Sequence, residues 1–316
     1  MTAQRAWLGD GRLHLQHGPI DIVIGADGAS EALQAAHAAA WTRFQTILPE
    51  LVSELALLRA PVGAHCPVQG AVAQRMWQAC HPYRTPFITA MAAVAGSVAQ
   101  ELLPAYAREG VDRAWINNGG DIALHLTPGQ SVRIGLYADL ARLDRQQLVQ
   151  GLDLDAHLLV DHDSGVRGVA TSGWRGRSLS LGIADSVTVL AATAAQADAA
   201  ATVIANAVNV VHPGIVRVPA HQLRDDCDLG ALPVTVEVPR LPEACVDEAL
   251  RAGWQCARAL RAQSLVIDAF LTCQGRAIWA SADDVATVSP MGLRNAGALT
   301  HHAPRANEKT LYREAA

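Results

Sequence analysis

The stretch Ala114-Trp115-Ile116-Asn117-Asn118-Gly119-Gly120-Asp121-Ile122-Ala123-Leu124-His125-Leu126 decides the fold. Two apolar runs flank an Asn-Gly-Gly-Asp centre, and the glycines permit the positive φ angles that a tight antiparallel hairpin requires. Working outward, Leu13 to Ile24 alternates apolar and polar residues around His17-Gly18-Pro19 and reads as two more strands. Val132 to Tyr137 reads as a strand, Ser178 to Gly182 and Ser186 to Ala192 as a pair joined through Asp185, and Leu265 to Leu271 and Ala277 to Ala280 as a pair turning at Gln274-Gly275. A helix is predicted from about Glu31, with Ser30 as a candidate N-cap, stopping or kinking near Pro49. Others are predicted from about Pro86 to Arg108, with Pro86 in the first turn, from near Ala195, and over Leu241 to Ala262. Residues 51–83 and 144–160 carry no clear pattern. The expectation is an α+β fold: one domain of mainly antiparallel strands with packed helices over residues 1–288, then a flexible tail at 289–316.

The chain has 316 residues with 25 basic and 30 acidic side chains, a net charge of −5. That charge, the lack of a basic run and only 14 aromatic residues (7 Trp, 4 Tyr, 3 Phe) argue against a nucleic-acid partner. Lys309 is the only lysine. A Schiff-base, pyridoxal-phosphate or phosphate-loop lysine is therefore excluded from the expected domain. The longest apolar stretches, Ile88 to Ala99 and Val187 to Ala195, fall short of the roughly 20 residues that span a bilayer. With no secretory signature at Met1 to Asp10, the expectation is a cytoplasmic protein without a membrane partner. The six cysteines show no paired short spacing, so they read as reduced residues rather than a zinc site or a disulfide framework. Alanine is abundant, at 59 residues, and clusters around Ala92 and Ala200. A helix made of residues as small as Ile88 to Ala99 implies that something packs close against it.

Four stretches carry candidate chemistry. The Gly119-Gly120 turn is a simple hairpin on one reading; on the other, its bare backbone approaches a phosphate or a flat ring, with Asn118 or Asp121 bonding to it. Thr171-Ser172-Gly173 ends a strand with two hydroxyls, and Arg175 and Arg177 follow, a set that suits a phosphate but also occurs in ordinary turns. Asp198 and Thr202 are four apart and so share one helix face. As hard oxygen donors they suit Mg²⁺, which completes its shell with water and substrate phosphates; the plainer reading gives Asp198 to the helix N-terminus and Thr202 to solvent. Asn206 continues their face. His162, in Asp161-His162-Asp163-Ser164-Gly165, is a loop histidine or a candidate base.

In order, the Met91 to Gln100 helix, Asn118-Gly119-Gly120-Asp121, Ala170-Thr171-Ser172-Gly173, Ser186-Val187-Thr188-Val189 and Ala197-Asp198-Ala199-Ala200-Ala201-Thr202 resemble the ApbE-like family, most of all its shorter, uncharacterised branch. The resemblance implies a T-fold-like domain. The better-known members are flavin transferases that use Mg²⁺ to cleave FAD and attach FMN to a threonine or serine of a target protein, and some hydrolyse FAD. It further implies that Asp198 and Thr202 are metal ligands, and that Asn118, Gly119, Gly120, Asp121, Thr171, Ser172 and Gly173 lie along the flavin nucleotide. The chain departs from the transferases in three places. Only Trp174 to Asp185 stands where they carry a longer insert with a histidine and an aspartate-proline turn. Val94-Ala95-Gly96-Ser97 replaces their lysine-glycine turn, and their N-terminal flavin-stacking region has no clear counterpart.

Two functions follow as expectations. One is a Mg²⁺-dependent enzyme acting on FAD, by FMN transfer to an acceptor protein or by hydrolysis of the pyrophosphate. The other is a non-catalytic binding or maturation protein that lost the reacting loop and holds a flavin or another anionic cofactor for a redox partner.

Overall fold

The structure, a computed structural model, describes residues 2–136, 156–176, 178–281, 289–290 and 299–300. The quoted stretch forms strands β4 (Val111–Asn118) and β5 (Asp121–Leu126), paired antiparallel with Asn118 opposite Asp121. Gly119 and Gly120 make the turn at φ 67 and 111. Around it run β1 (Gln4–Trp7), β2 (Leu13–His17) and β3 (Ile20–Gly28) on one side. On the other run β8 (Gly168–Ser172), β9 (Ser186–Ala191), β12 (Asp268–Cys273), β13 (Arg276–Trp279) and β14 (Ser289–Pro290). Together they make one ten-stranded antiparallel sheet in the order β1-β2-β3-β4-β5-β8-β9-β12-β13-β14. The mixed antiparallel sheet and packed helices are the α+β fold expected.

The connections divide this sheet into two topologically similar halves. In the first, hairpin β2-β3 leads through helices to hairpin β4-β5; in the second, β8-β9 leads through helices to β12-β13. Helix α1 (Ser30–Ser53) turns Ala36, Ala40, Phe44, Ile47 and Leu51 inward, the three-to-four spacing of one apolar stripe. It runs through Pro49, because Ile47 and Leu51 are buried on either side and their packing outweighs one missing backbone bond. Ala29, not Ser30, is its N-cap, and the short helix α2 (Leu55–Leu58) follows. Helix α3 (Ala71–Cys80) precedes a cis Thr85–Pro86 peptide, so Pro86 lies ahead of the next helix and not in its first turn. That helix starts as a 3₁₀ turn at Ala90–Ala93 and becomes α4 (Val94–Leu102).

In the second half, α5 (Ala194–Ala207) is capped by Thr193, whose hydroxyl accepts from the Gln196 N–H. It lies across β8 and β9 and packs against α4 and α6 (Glu243–Ala262). Ala194, Ala195, Ala197, Ala199, Ala200, Ala201, Ile204 and Ala205 are buried, so this helix is apolar on nearly every side, as an enclosed helix must be. Segment 178–182 is not a strand. Its backbone bonds to Asn206 and Thr235 instead of a neighbouring ladder.

The sheet's helix-facing side carries Ile22, Ile24, Ala114, Ile116, Ala123, Ala170, Val187, Val189, Ala269 and Leu271. Its other side carries Leu124, Leu126, Val169 and Leu190, which pack with Val132, Ile134, Leu158 and Val160 of β6 (Ser131–Leu136) and β7 (Ala156–Asp161). The short β15 (Leu299–Thr300) pairs parallel with β7, and β10 (Val216–Pro219) pairs with β11 (Pro233–Glu237) as a separate ribbon. Tyr137, Arg177 and, apart from these short strands, residues 282–316 lie outside the described residues. Among the described residues no helix is long and apolar enough to cross a membrane.

Close approach sets the position of α5. A Cβ on Gly168 would overlap the Thr193 carbonyl and the Ala194 nitrogen, and a Cβ on Gly96 would overlap the Ala194 carbonyl oxygen. Gly168→Ala should therefore lower unfolding stability in urea by about 1–3 kcal/mol, the usual range for overpacking. Ala192→Ser, an exposed change in the same turn, should stay within roughly 0.5 kcal/mol.

Candidate functional site

Strands β5 and β8 pair through Ile122 with Val169 and Ala123 with Gly168, which brings the start of β5 beside the end of β8. There the Thr171 N–H donates to Asp121 Oδ1 at 3.2 Å. Alternation puts Asp121 on the same side as buried Ala123, toward the helices. Helix α5 rises over this corner and presents Asp198, whose Oδ2 accepts from the Gly96 N–H at 2.8 Å. Gly96 lies in the first turn of α4, so this carboxylate sits at the positive end of a second helix.

The two carboxylates feel each other. Burial, with the charge of Asp121 added, pushes Asp198 well above the ordinary carboxylate range, against the backbone N–H groups of Gly96 and Ala95 that draw it down. Burial pushes Asp121 up to about 7, opposed by the Thr171 N–H. Asp121 and Asp198 are half-buried as residues, with their carboxyls crowded into the corner. Two acids held close at neutral pH are completed by a shared proton or by a cation. Burial and the Asp198 charge push the neighbouring Cys80 thiol well up, which leaves it unreactive.

The expected residues divide here. Thr202 is half-buried one turn beyond Asp198 on the same face of α5, and among the described residues no hydrogen bond engages its hydroxyl. Ser172 is half-buried on the helix side of β8, likewise with an open hydroxyl. Thr171 points the other way: its hydroxyl bonds Thr188 Oγ1 at 2.9 Å, so only its backbone joins the site. Asn118 donates through Nδ2 to the Ala95 carbonyl at 3.1 Å and thereby ties the hairpin to α4. The Gly120 N–H is taken by Asn117 Oδ1 at 2.8 Å, while space above the turn is open. At Gly120, then, the turn offers a ligand room rather than a free donor. Gly173 packs against the Asp185 carbonyl, where no side chain fits.

Arg175 is exposed and stacks on Trp174 at 4.9 Å. His162 occupies the turn after β7, with Nδ1 2.9 Å from Asp163 Oδ1. Asn206 bonds Ser180 and Leu181. Among the described residues no three His, Cys, Asp or Glu side chains converge, so a cation at this corner would rest on two carboxylates, hydroxyl oxygens and its own water or substrate ligands. The sequence placed Asp121 along a nucleotide and Asp198 on a metal. It gave no sign that they face each other, and Gly96, which brings the helices that close, was the available signal.

The family model described as AbpE bacteria matches residues 5–279. A UPF0280 protein of Methanopyrus kandleri is 36% identical over 192 residues, 59% of this chain and 69% of that one. A UPF0280 protein of Methanothrix thermoacetophila is 36% identical over 130 residues, 41% of this chain and 50% of that one, so the chain spans about half the length of that relative. Among solved structures, the apo form of the Pseudomonas stutzeri flavinyl transferase ApbE is similar over 64% of this chain and 82% of that one, at 14% identity and a TM-score of 0.35. With the family model covering nearly all of its described length, the chain belongs to the ApbE-like family, and its curated relatives are the UPF0280 proteins of that family's shorter branch.

Proposed function

We propose that the chain is a Mg²⁺-dependent enzyme acting on flavin nucleotides, which transfers FMN from FAD to a threonine or serine of an acceptor protein or hydrolyses the FAD pyrophosphate. The observation that carries this reading is the Asp121 and Asp198 pair, with the open hydroxyls of Thr202 and Ser172 at the same corner. This donor set fits Mg²⁺: hard oxygens, two negative charges that repel without a cation, and room for water and phosphate. When bound, Mg²⁺ would neutralise charge developing on the pyrophosphate. Asp121, Asp198 and Thr202 hold the ion, Ser172 donates to a phosphate oxygen, and the open Gly119-Gly120 turn leaves space for the flat part of the ligand. Phosphoryl transfer needs mainly positioning and charge stabilisation. The lack of a lysine in residues 1–308 is no obstacle to it.

Residues 1–288 are taken as the working domain, and a reducing, cytoplasmic setting suits six unpaired thiols. One observation favours the alternative of a non-catalytic flavin- or anion-binding maturation protein: residues 174–185 hold neither histidine nor proline to shape a reacting loop.

Incubation of the protein with FAD, Mg²⁺ and a candidate acceptor should release AMP. Asp198→Ala should slow that release at least a hundredfold, since loss of a catalytic cation costs several kcal/mol and each 1.36 kcal/mol is tenfold. Flavin binding with no AMP release, equal in wild type and Asp198→Ala, would instead identify the binding protein.

The carboxylate pair also predicts a pH dependence in metal-free protein. Asp121 has a folded pKa of about 7 against an ordinary 3.8, so the folded state holds more protons than the unfolded state between those values. Its contribution to stability is full below about pH 4 and is lost as pH rises through about 7. Thermal melts at pH 5 and 8 should show this loss in wild type, and Mg²⁺ should reverse it at pH 8. Asp198→Asn, which removes the repelling charge, should flatten the dependence; an identical slope in the variant would refute the coupling.

A further inference from the structure

Eight residues beyond Asp198 on α5, about 12 Å along the helix axis, a second polar cluster stands outside the corner already described. Asn206 Oδ1 accepts from both the Leu181 N–H at 2.9 Å and the Ser180 hydroxyl at 3.1 Å. Two donors on the oxygen fix the amide's orientation, which leaves the Asn206 Nδ2 protons without a protein partner among the described residues. The Leu181 carbonyl, in turn, accepts from Arg217 Nε and Asn209 Nδ2, each at 3.4 Å. Arg217 Nη2 donates to Asn209 Oδ1 at 2.5 Å, and its Nη1 makes no hydrogen bond among the described residues. One residue, Leu181, is thus clamped between an asparagine and an arginine that both keep donors open.

Arg217 is half-buried, and burial draws its pKa down because no carboxylate among the described residues stands beside it. By contrast Arg43, Arg75, Arg113 and Arg276 are each held by an aspartate or glutamate. Directly across the β10-β11 ribbon from Arg217 is Thr235, 4% exposed, whose Oγ1 is buried with no hydrogen-bond partner. Cross-strand neighbours hold their Cβ atoms roughly 5 Å apart. Partial burial disfavours the Arg217 charge and no carboxylate balances it, while the Thr235 hydroxyl is buried and orphaned; a single bound anion satisfies both.

We propose that Arg217, Thr235 and Asn206 form a second, separate anion subsite that takes a phosphate group. Nη1 of Arg217 supplies the charge, and the threonine hydroxyl and the asparagine amide supply neutral donors, a set that suits the oxygens of a phosphate. The subsite stands on its own residues and does not depend on the flavin reading.

Inorganic pyrophosphate titrated into the full chain in metal-free buffer, followed by isothermal calorimetry, tests this directly. Without a cation the Asp121 and Asp198 corner repels anions, so binding there does not contribute. Saturable binding is expected, weakened about tenfold or more by Arg217→Gln and less by Arg217→Lys. Thr235→Val removes only the hydroxyl; it should weaken pyrophosphate binding several-fold while the melting temperature holds or rises. No saturation at millimolar pyrophosphate, or binding that both Arg217→Gln and Thr235→Val leave intact, overturns the proposal. If Arg217→Gln fails to fold, Thr235→Val decides alone.

Discussion

The contact on which this structure depends is the approach of α5 to β8 on one side and to α4 on the other. At Gly168 and Gly96 that approach leaves no room for even a methyl group, and along the rest of the helix it tolerates little more than alanine. Alanine buries little apolar surface, so a helix of this composition gains less from burial than one of leucines. Its stability comes from enclosure on nearly every side and from backbone proximity to its neighbours. The result is an enclosed element on which, beyond Gln196 in the first turn, the polar side chains Asp198, Thr202 and Asn206 repeat every four residues along one face. A helix of larger residues would stand farther from α4, and Asp198 could not reach the Gly96 N–H.

That geometry creates an electrostatic problem as well as a site. Asp121 arrives from the first half of the sheet and Asp198 from the second, and they meet because β5 and β8 are the strands that join the halves. Backbone N–H groups stabilise each charge, that of Thr171 for Asp121 and those of Gly96 and Ala95 for Asp198. Those donors oppose the desolvation without cancelling it, since both carboxyls remain shifted up. A pair of acids that helix ends and backbone amides only partly neutralise is poised for a cation or a shared proton. Neither half of the chain holds this arrangement alone.

The hairpin around Gly119-Gly120 and the apolar stripe of α6 were legible in the sequence because each depends on residues within a few positions of one another. Leu13 to Ile24 read correctly for the same reason. Segment 178–182 did not, since its alternating pattern matches a strand while its backbone partners, Asn206 and Thr235, lie far along the chain. Pro49 and Pro86 misled in opposite directions: buried neighbours carried α1 through the first, and the second belongs to the chain entering the 3₁₀ turn. At the site, spacing along one helix was enough to pair Asp198 with Thr202. The facing of Asp121 with Asp198, and the turning away of Thr171 toward Thr188, are set by strand order and parity, which no local window contains.

The similar halves explain why the polar groups lie in one corner only. Each half presents a hairpin, a helical excursion and a second hairpin, yet the first half covers its strands with α1, whose inward stripe includes Phe44, Ile47 and Leu51. Large side chains there fill the space between helix and sheet and keep the backbones apart. In the second half the corresponding layer is the alanine helix, close enough to the sheet for short side chains from both to meet. The polar corner at the seam follows from that asymmetry: the small-residue half leaves Asp198 and Thr202 half-buried along its edge, and Asp121, the first residue of β5, is carried beside them by the strand pairing. The chemistry available to the chain is therefore set less by which residues are reactive than by where side chains are missing.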